Sequence, residues 1–246
     1  MPKESFFSRP FVWPALILGI ALLLGLLMVG WGISARGTSD TISVTGSATT
    51  AVRADEATWT IDVRRNALAS GVSTAYTQIA HDGQVIADFF TKQNLASSSV
   101  TVSVVYVDQN YTSDANAPTT YNVHETVTVR TTDVDAIDKL SRTISSLSSA
   151  VTQGSVVSPN QPQYYISSLP QLRVSLVGQA IADAKARAVQ IAKAGGSSVG
   201  ALKSASSGVV QVLAPSSTNV EDYGSYDTST IEKEVMVTAR ATFYVK

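Results

Sequence analysis

An uncharged, strongly apolar stretch near the start of the chain limits the structures that this sequence can form. Residues 11–33 contain no Asp, Glu, Lys or Arg. As an α-helix, these 23 residues would extend about 35 Å, enough to cross a hydrocarbon layer of about 30 Å with some tilt. The stretch therefore predicts a transmembrane helix.

Both ends of the stretch resemble membrane interfaces. Trp13 and Trp31 lie near them, and indole rings favour the headgroup level. Lys3 and Arg9 precede the stretch, whereas only Arg36 follows it closely. By the positive-inside rule, this asymmetry predicts a cytoplasmic N-terminus and places the rest of the chain outside the cytoplasm.

Two further points concern the anchor. Gly19 and Gly25 each follow an alanine by four residues, a spacing that lets a second membrane helix approach closely. The alternative is a cleaved signal peptide, because Ile33-Ser34-Ala35 ends in a small residue, as a cleavage site requires. Signal peptides usually have apolar cores of about 7–15 residues, so the longer stretch favours a retained, single-pass anchor in the inner (cytoplasmic) membrane, with the lipid bilayer as partner.

The expected layout has four parts. Residues 1–10 form a short cytoplasmic N-terminus, 11–33 the transmembrane helix, 34–40 a linker and 41–246 a single extracytoplasmic domain. That last part is long enough to bury one sizeable core. Cysteine is absent from the sequence, so the domain must be stabilised by packing without disulfides or thiolate metal sites.

Composition and charge also exclude one class of binding partner. The net charge is −1, charged residues make up 15% of the chain, and the basic residues are scattered along it. Nucleic-acid binding needs a clustered basic surface, so we exclude that class.

Hydrophobic periodicity predicts an α+β domain. Apolar residues alternate with polar ones in the strand candidates and recur at helical spacing in the helix candidates. The predicted order is β-β-α-β-β-α-β-α-β-β, with strands near 42–46, 57–63, 100–106, 121–129, 155–157 and 164–166, 209–213 and 235–245, and helices near 70–94, 134–147 and 170–194. This order favours helices packed on one face of a largely antiparallel sheet.

Three short patterns point to a known family. Val44-Thr45-Gly46 and then Asp55-Glu56-Ala57 resemble the "V-x-G" and "P-D-x-A" opening of the SIMPL-domain proteins, with Ala54 where that family often has proline. The run from Ala180 to Gly200 is similar to the family's "A-x-x-D-A-x-x-[KR]-A" helix and the glycines that follow it. The resemblance covers about residues 41–246.

The resemblance implies an extracytoplasmic or periplasmic domain that forms homo-oligomers, sometimes ring-like or channel-like, with loose links to cell-envelope stress. It implies no catalytic residues and no cofactor. The resemblance therefore specifies the fold much more closely than it specifies the function.

Catalytic candidates are sparse. Ser198 lies in a G-x-S-x-G pattern, which in hydrolases marks a nucleophile between a strand and a helix. Here the pattern follows a predicted helix, and His81 and His124, the histidines of the chain, both precede it. We expect a helix end at Ser198, surface positions for the histidines, no metal site and no enzyme.

Tyrosines in two predicted loops are the remaining candidates for recognition. Tyr111 lies in the loop at 110–120 and Tyr121 directly follows it, and Tyr223 and Tyr226 lie in the loop at 215–230. Exposed aromatic residues often mark contact surfaces. The leading hypothesis is a membrane-anchored, self-associating structural or interaction module of the cell envelope. The alternative is a module that binds a glycan or small ligand through these loops, and a hydrolase using Ser198 ranks third.

Overall fold

The predicted N-terminal helix is present in the computed structural model, which describes residues 12–34, 40–111, 117–217 and 221–246. This helix, α1, spans Val12–Ser34. The cytoplasmic segment predicted at 1–10 and linker residues 35–39 lie outside the described residues, as do the side chains of Val12, Ala15 and 29–34, including Trp31. Within the part that is described, no helix is long and apolar enough to cross a membrane.

The anchor residues with described positions are exposed on α1. The Trp13 side chain is solvent-accessible, and a Cβ at Gly19 or Gly25 would meet no atom within 4 Å. The membrane-spanning role of this helix therefore stays a prediction.

The rest of the described chain forms two antiparallel sheets, where the sequence predicts one. One sheet has three strands and the other six. The strands are β1 (Thr41–Arg53), β2 (Glu56–Leu68), β3 (Val100–Val102), β4 (Tyr106–Asn110), β5 (Thr120–Thr131), β6 (Val156–Pro159), β7 (Gln163–Tyr165), β8 (Val199–Leu213) and β9 (Glu232–Val245). The α+β class is correct, and the helices are distributed over both sheets.

The three-stranded sheet has the order β1-β9-β8 and is covered by the long helix α4 (Leu169–Ala194). Small residues form the contact: the buried alanines of α4 recur every four residues, at 180, 184, 188 and 192. Gly46 of β1 lies directly beneath them, and a Cβ there would overlap the carbonyl oxygen of Ala180. This close approach explains why the helix stripe is alanine and the strand residue glycine.

The six-stranded sheet has β5 and β2 at its centre, with β3 and β4 beside β5 and with β6 and β7 beside β2. Helices α2 (Val72–Lys92) and α3 (Val134–Thr143) cover one face. The core between them includes an edge-to-face pair of Trp59 and Phe90, with ring centroids 5.6 Å apart. Asp133 caps α3, because its carboxylate accepts the Ala136 N–H at 3.0 Å.

The two sheets are joined by the β1–β2 connection. The Ala54 N–H donates to the Ile231 carbonyl at 2.8 Å, and the Asp55 N–H donates to the Tyr165 carbonyl at 3.0 Å. The Asp55 carboxylate accepts the Ser167 N–H at 2.7 Å and the Ser167 hydroxyl at 2.6 Å. These bonds fix the position where the chain passes from one sheet to the other.

The predicted start of one strand needs correction. Strand β8 begins at Val199, ten residues before the predicted start, because residues 201–207 are exposed on both faces and so show no apolar alternation. At the start of α4, the N-cap residue Ser168 makes no side-chain capping bond to the described residues. Pro170 in the first turn removes one N–H that a cap would otherwise have to satisfy.

Candidate functional site

A polar groove lies at the end of β2. Strand alternation places Arg65 on the helix-covered side of the sheet and Arg64 and Asn66 on the open side. The Arg65 Nε donates to Gln78 Oε1 at 3.0 Å, and its Nη1 donates to the Gln153 carbonyl at 2.9 Å. The guanidinium of Arg65 is thus held in place by neutral acceptors.

Amide side chains continue the groove across the neighbouring strands. Asn110 Nδ2 donates to Asn66 Oδ1 at 3.4 Å and to Thr120 Oγ1 at 3.2 Å. Asn122 lies opposite Asn66 in the β2–β5 register. The open side therefore presents three amides from three strands.

The groove has a volume of about 540 Å³ and also borders on Gly154 and Val156. Gly154 has φ +90°, and a Cβ there would lie 3.1 Å from Arg65 Nη2. A glycine at this position both permits the turn and leaves the guanidinium uncovered.

The groove carries uncompensated positive charge. Arg53, Arg142 and Arg187 all form ion pairs with carboxylates. Among the described residues, neither Arg64 nor Arg65 has a carboxylate at ion-pair distance. The nearest charged pair on the open face is His124 with Asp108, whose Nε2 and Oδ2 are 3.3 Å apart.

The four predicted contact tyrosines fall into two groups on different sheets. Tyr111 is 88% exposed and follows β4, whereas Tyr121 lies within β5, opposite Ala67, and is half-buried. Tyr223 is 96% exposed. The Tyr226 side chain is held in place by a hydrogen bond, because its hydroxyl accepts the Ile166 N–H at 3.0 Å.

The hydrolase pattern ends a helix, as predicted. After α4, Gly196 has φ +75°, and the Ser198 N–H donates to the Lys246 carbonyl at 2.8 Å where β8 begins. His81 and His124 lie on α2 and β5, elements of the other sheet layer. No cluster of three or more His, Cys, Asp or Glu that could hold a metal occurs in the described part of the chain.

Two carboxyl groups are buried, one on α2 and one on β5 facing α2, and the sequence patterns predicted neither. Asp82 accepts the Thr152 N–H at 2.8 Å, the Thr152 hydroxyl at 2.6 Å and the Ser155 hydroxyl at 2.6 Å. Burial alone would raise the pKa of Asp82, but these hydrogen bonds outweigh it and hold the pKa below its usual value.

Glu125 has the opposite environment. It lies on the core side of β5, is 5% exposed, and its Oε2 has no hydrogen-bond partner in the described part of the chain. Gly83 of α2 faces this carboxyl so closely that a Cβ would overlap Oε2. Burial raises the pKa of Glu125 to about 6.

The signature residues of the resemblance lie at packing contacts. Asp183 Oδ2 accepts the Ser47 N–H at 2.9 Å, next to Gly46, and also pairs with Arg187 Nε at 2.8 Å. Charge and hydrogen bonds lower the pKa of Asp183, first through the Ser47 N–H and then through Arg187. These residues hold α4 against β1.

The fold and groove define an α+β domain in which two antiparallel sheets are each covered by helices, with an open polar face on the larger sheet. The chain belongs to the SIMPL family, described as a protein of unknown function (DUF541), whose model matches residues 42–243. No curated protein matches the chain significantly.

Sequence reasoning did not identify the groove. One signal was visible, since Arg64 and Arg65 are the only adjacent basic residues in the chain. The amides that complete the groove come from strands 44 to 56 residues further on, as the separations of Asn66 from Asn110 and Asn122 show.

Proposed function

We propose that this protein is a membrane-tethered, extracytoplasmic module that associates with further copies of itself through the free edge of β8. The observation that carries the proposal is that β8 is an edge strand of the three-stranded sheet, with residues 201–207 exposed on both faces. Such an edge presents unpaired backbone N–H and C=O groups to a second strand.

Register irregularities limit which part of this edge can pair. Shifts fall between Val199 and Leu202, between Leu202 and Ser204, and between Ser207 and Val210. The regular segment is therefore 204–207. Antiparallel pairing of this segment about a two-fold axis would join two three-stranded sheets into one.

The opposite edge of the same sheet is less suited to pairing. Helix α4 lies against β1, and the Ser47 N–H is already bonded to Asp183. Association through one edge gives a closed dimer, whereas two available edges would give an open fibre.

Lysines on the edge provide the test. In Ala205→Lys/Ser207→Lys, a two-fold pairing brings like charges together, so the oligomer should dissociate. Thr41→Lys/Thr49→Lys on β1 is the matched control and should behave like the wild type. Light scattering of the detergent-extracted full chain gives the mass; a wild-type monomer at every concentration would contradict self-association.

The tether is supported by the uncharged stretch at 11–33 and the charge asymmetry around it. We expect the full chain to stay in the membrane pellet after alkaline extraction and to retain its N-terminus. An intact mass that corresponds to a start near Arg36 would instead indicate a cleaved signal peptide.

The second candidate is a ligand- or glycan-binding module, favoured by the nearly complete exposure of Tyr111 and Tyr223. Exposed tyrosines provide rigid contact area at little cost in side-chain entropy. Tyr111→Ala/Tyr223→Ala should then abolish binding in a glycan array, and an unchanged binding profile would remove this candidate.

A further inference from the structure

The groove at the end of β2 is lined by two arginines, Arg64 and Arg65. Neither has a carboxylate at ion-pair distance among the described residues. An anion in the groove would therefore meet positive charge that no carboxylate of the described residues neutralises. The charge distribution thus favours a negatively charged ligand.

The geometry of Arg65 suits such a ligand. Its guanidinium is fixed by Gln78 and by the Gln153 carbonyl, and these acceptors leave its positive charge unneutralised. A side chain at Gly154 would crowd Nη2. An arginine held in advance loses little side-chain entropy when it binds an anion.

The amides indicate what else the ligand carries. Asn66 and Asn110 bond to each other, while Asn122 has no side-chain hydrogen-bond partner among the described residues. Amide groups donate and accept at once, which matches hydroxyl groups. The groove volume of about 540 Å³ is within the range of small-molecule sites.

We propose that this groove binds an acidic sugar, with the anionic group at Arg64 and Arg65 and the hydroxyl groups at Asn66, Asn110 and Asn122. A carboxylate and a phosphate can both supply the anion, since guanidinium groups bind either in a bidentate manner. The proposal stands apart from self-association, because the groove and the β8 edge belong to different sheets.

The test measures binding of galacturonate, galactose 1-phosphate and neutral galactose to the detergent-solubilised full chain by microscale thermophoresis. We expect binding of at least one acidic probe, and weaker binding of galactose. Arg64→Gln should weaken the acidic probe roughly tenfold, the loss expected for one charge-assisted hydrogen bond. Asn122→Ala should weaken acidic and neutral sugars by the same factor.

Arg240→Gln is the matched control, because Arg240 is an exposed arginine on the three-stranded sheet and should leave binding unchanged. Arg64 is exposed, so its variant should unfold at the wild-type temperature, which excludes misfolding as the cause. Tighter binding of galactose 1-phosphate than of galacturonate supports the site and assigns the anion as phosphate. Equal binding of acidic and neutral sugars, no binding of any probe, or wild-type affinity in Arg64→Gln would overturn the proposal.

Discussion

Replacing Glu125 by Gln should remove a loss of folding stability that the six-stranded sheet and its helices suffer as the pH rises. The Glu125 carboxyl is 5% exposed, and its Oε2 is unpartnered among the described residues. Burial raises the pKa of Glu125 to about 6, from an ordinary value of 4.5. The folded state therefore holds this proton to a higher pH than the unfolded state does. Glutamine has nearly the same shape and stays neutral throughout.

The sign follows from linkage. Below pH 4.5 the carboxyl is protonated in both states. As the pH rises through about 6 the folded state must ionise a buried group, and the stability that the protonated form contributed is lost. The difference in pKa corresponds to about 2 kcal/mol once both states are ionised.

Denaturant unfolding of the full chain in detergent, from pH 4 to pH 8, measures the effect. Trp59 reports on the same core, while Trp13 and Trp31 belong to the N-terminal segment. We expect the free energy of unfolding of wild type to fall by up to about 2 kcal/mol relative to Glu125→Gln as the pH rises. Glu234→Gln, on a half-exposed residue, is the control. Parallel curves for wild type and Glu125→Gln would refute the reasoning.

Three further predictions concern packing and charge. Asp82→Asn should lower the free energy of unfolding near neutral pH by about 1–3 kcal/mol, because hydrogen bonds to a charged carboxylate are lost. The difference from wild type should shrink as acid protonates Asp82 below its lowered pKa. A denaturant series from pH 7 to pH 3 would detect this change. Gly46→Ala should cost about 1–3 kcal/mol in chemical denaturation, since a Cβ meets the backbone of α4, whereas Gly178→Ala, at an open position, should not. Asp55→Ala should increase hydrogen exchange at the Ser167 amide, and unchanged protection there would show that the carboxylate does not stabilise the sheet junction.

Sequence periodicity predicted the elements with strong apolar patterns. The alternation in β2, β5 and β9 and the helical spacing in α2 and α4 all correspond to observed elements. The first part of β8 was missed, because alternation arises only where one face is buried. The division into two sheets was also missed, since it depends on which distant strands pair and no local pattern encodes that.

The residues of the candidate groove could not be predicted from local sequence patterns either. Arg64 and Arg65 were visible as adjacent charges, but charge compensation depends on the surrounding fold. The same holds for Glu125, which reads as one polar residue in an alternating strand until Gly83 is found opposite it. Burial and pairing are tertiary properties, so sequence alone could not separate these groups from ordinary surface charges.

The residues that identify the family and the residues of the proposed site have separate physical roles. Gly46 and Asp183 maintain the close contact between α4 and β1, and Asp55 maintains the junction between the sheets. A chain with this architecture needs such residues for packing. Arg64 and Asn122 belong to the open face, where substitution leaves the core contacts intact. Family membership therefore specifies how the domain packs. Ligand choice would depend on the open face, and it could change from one such protein to the next without any change in the fold.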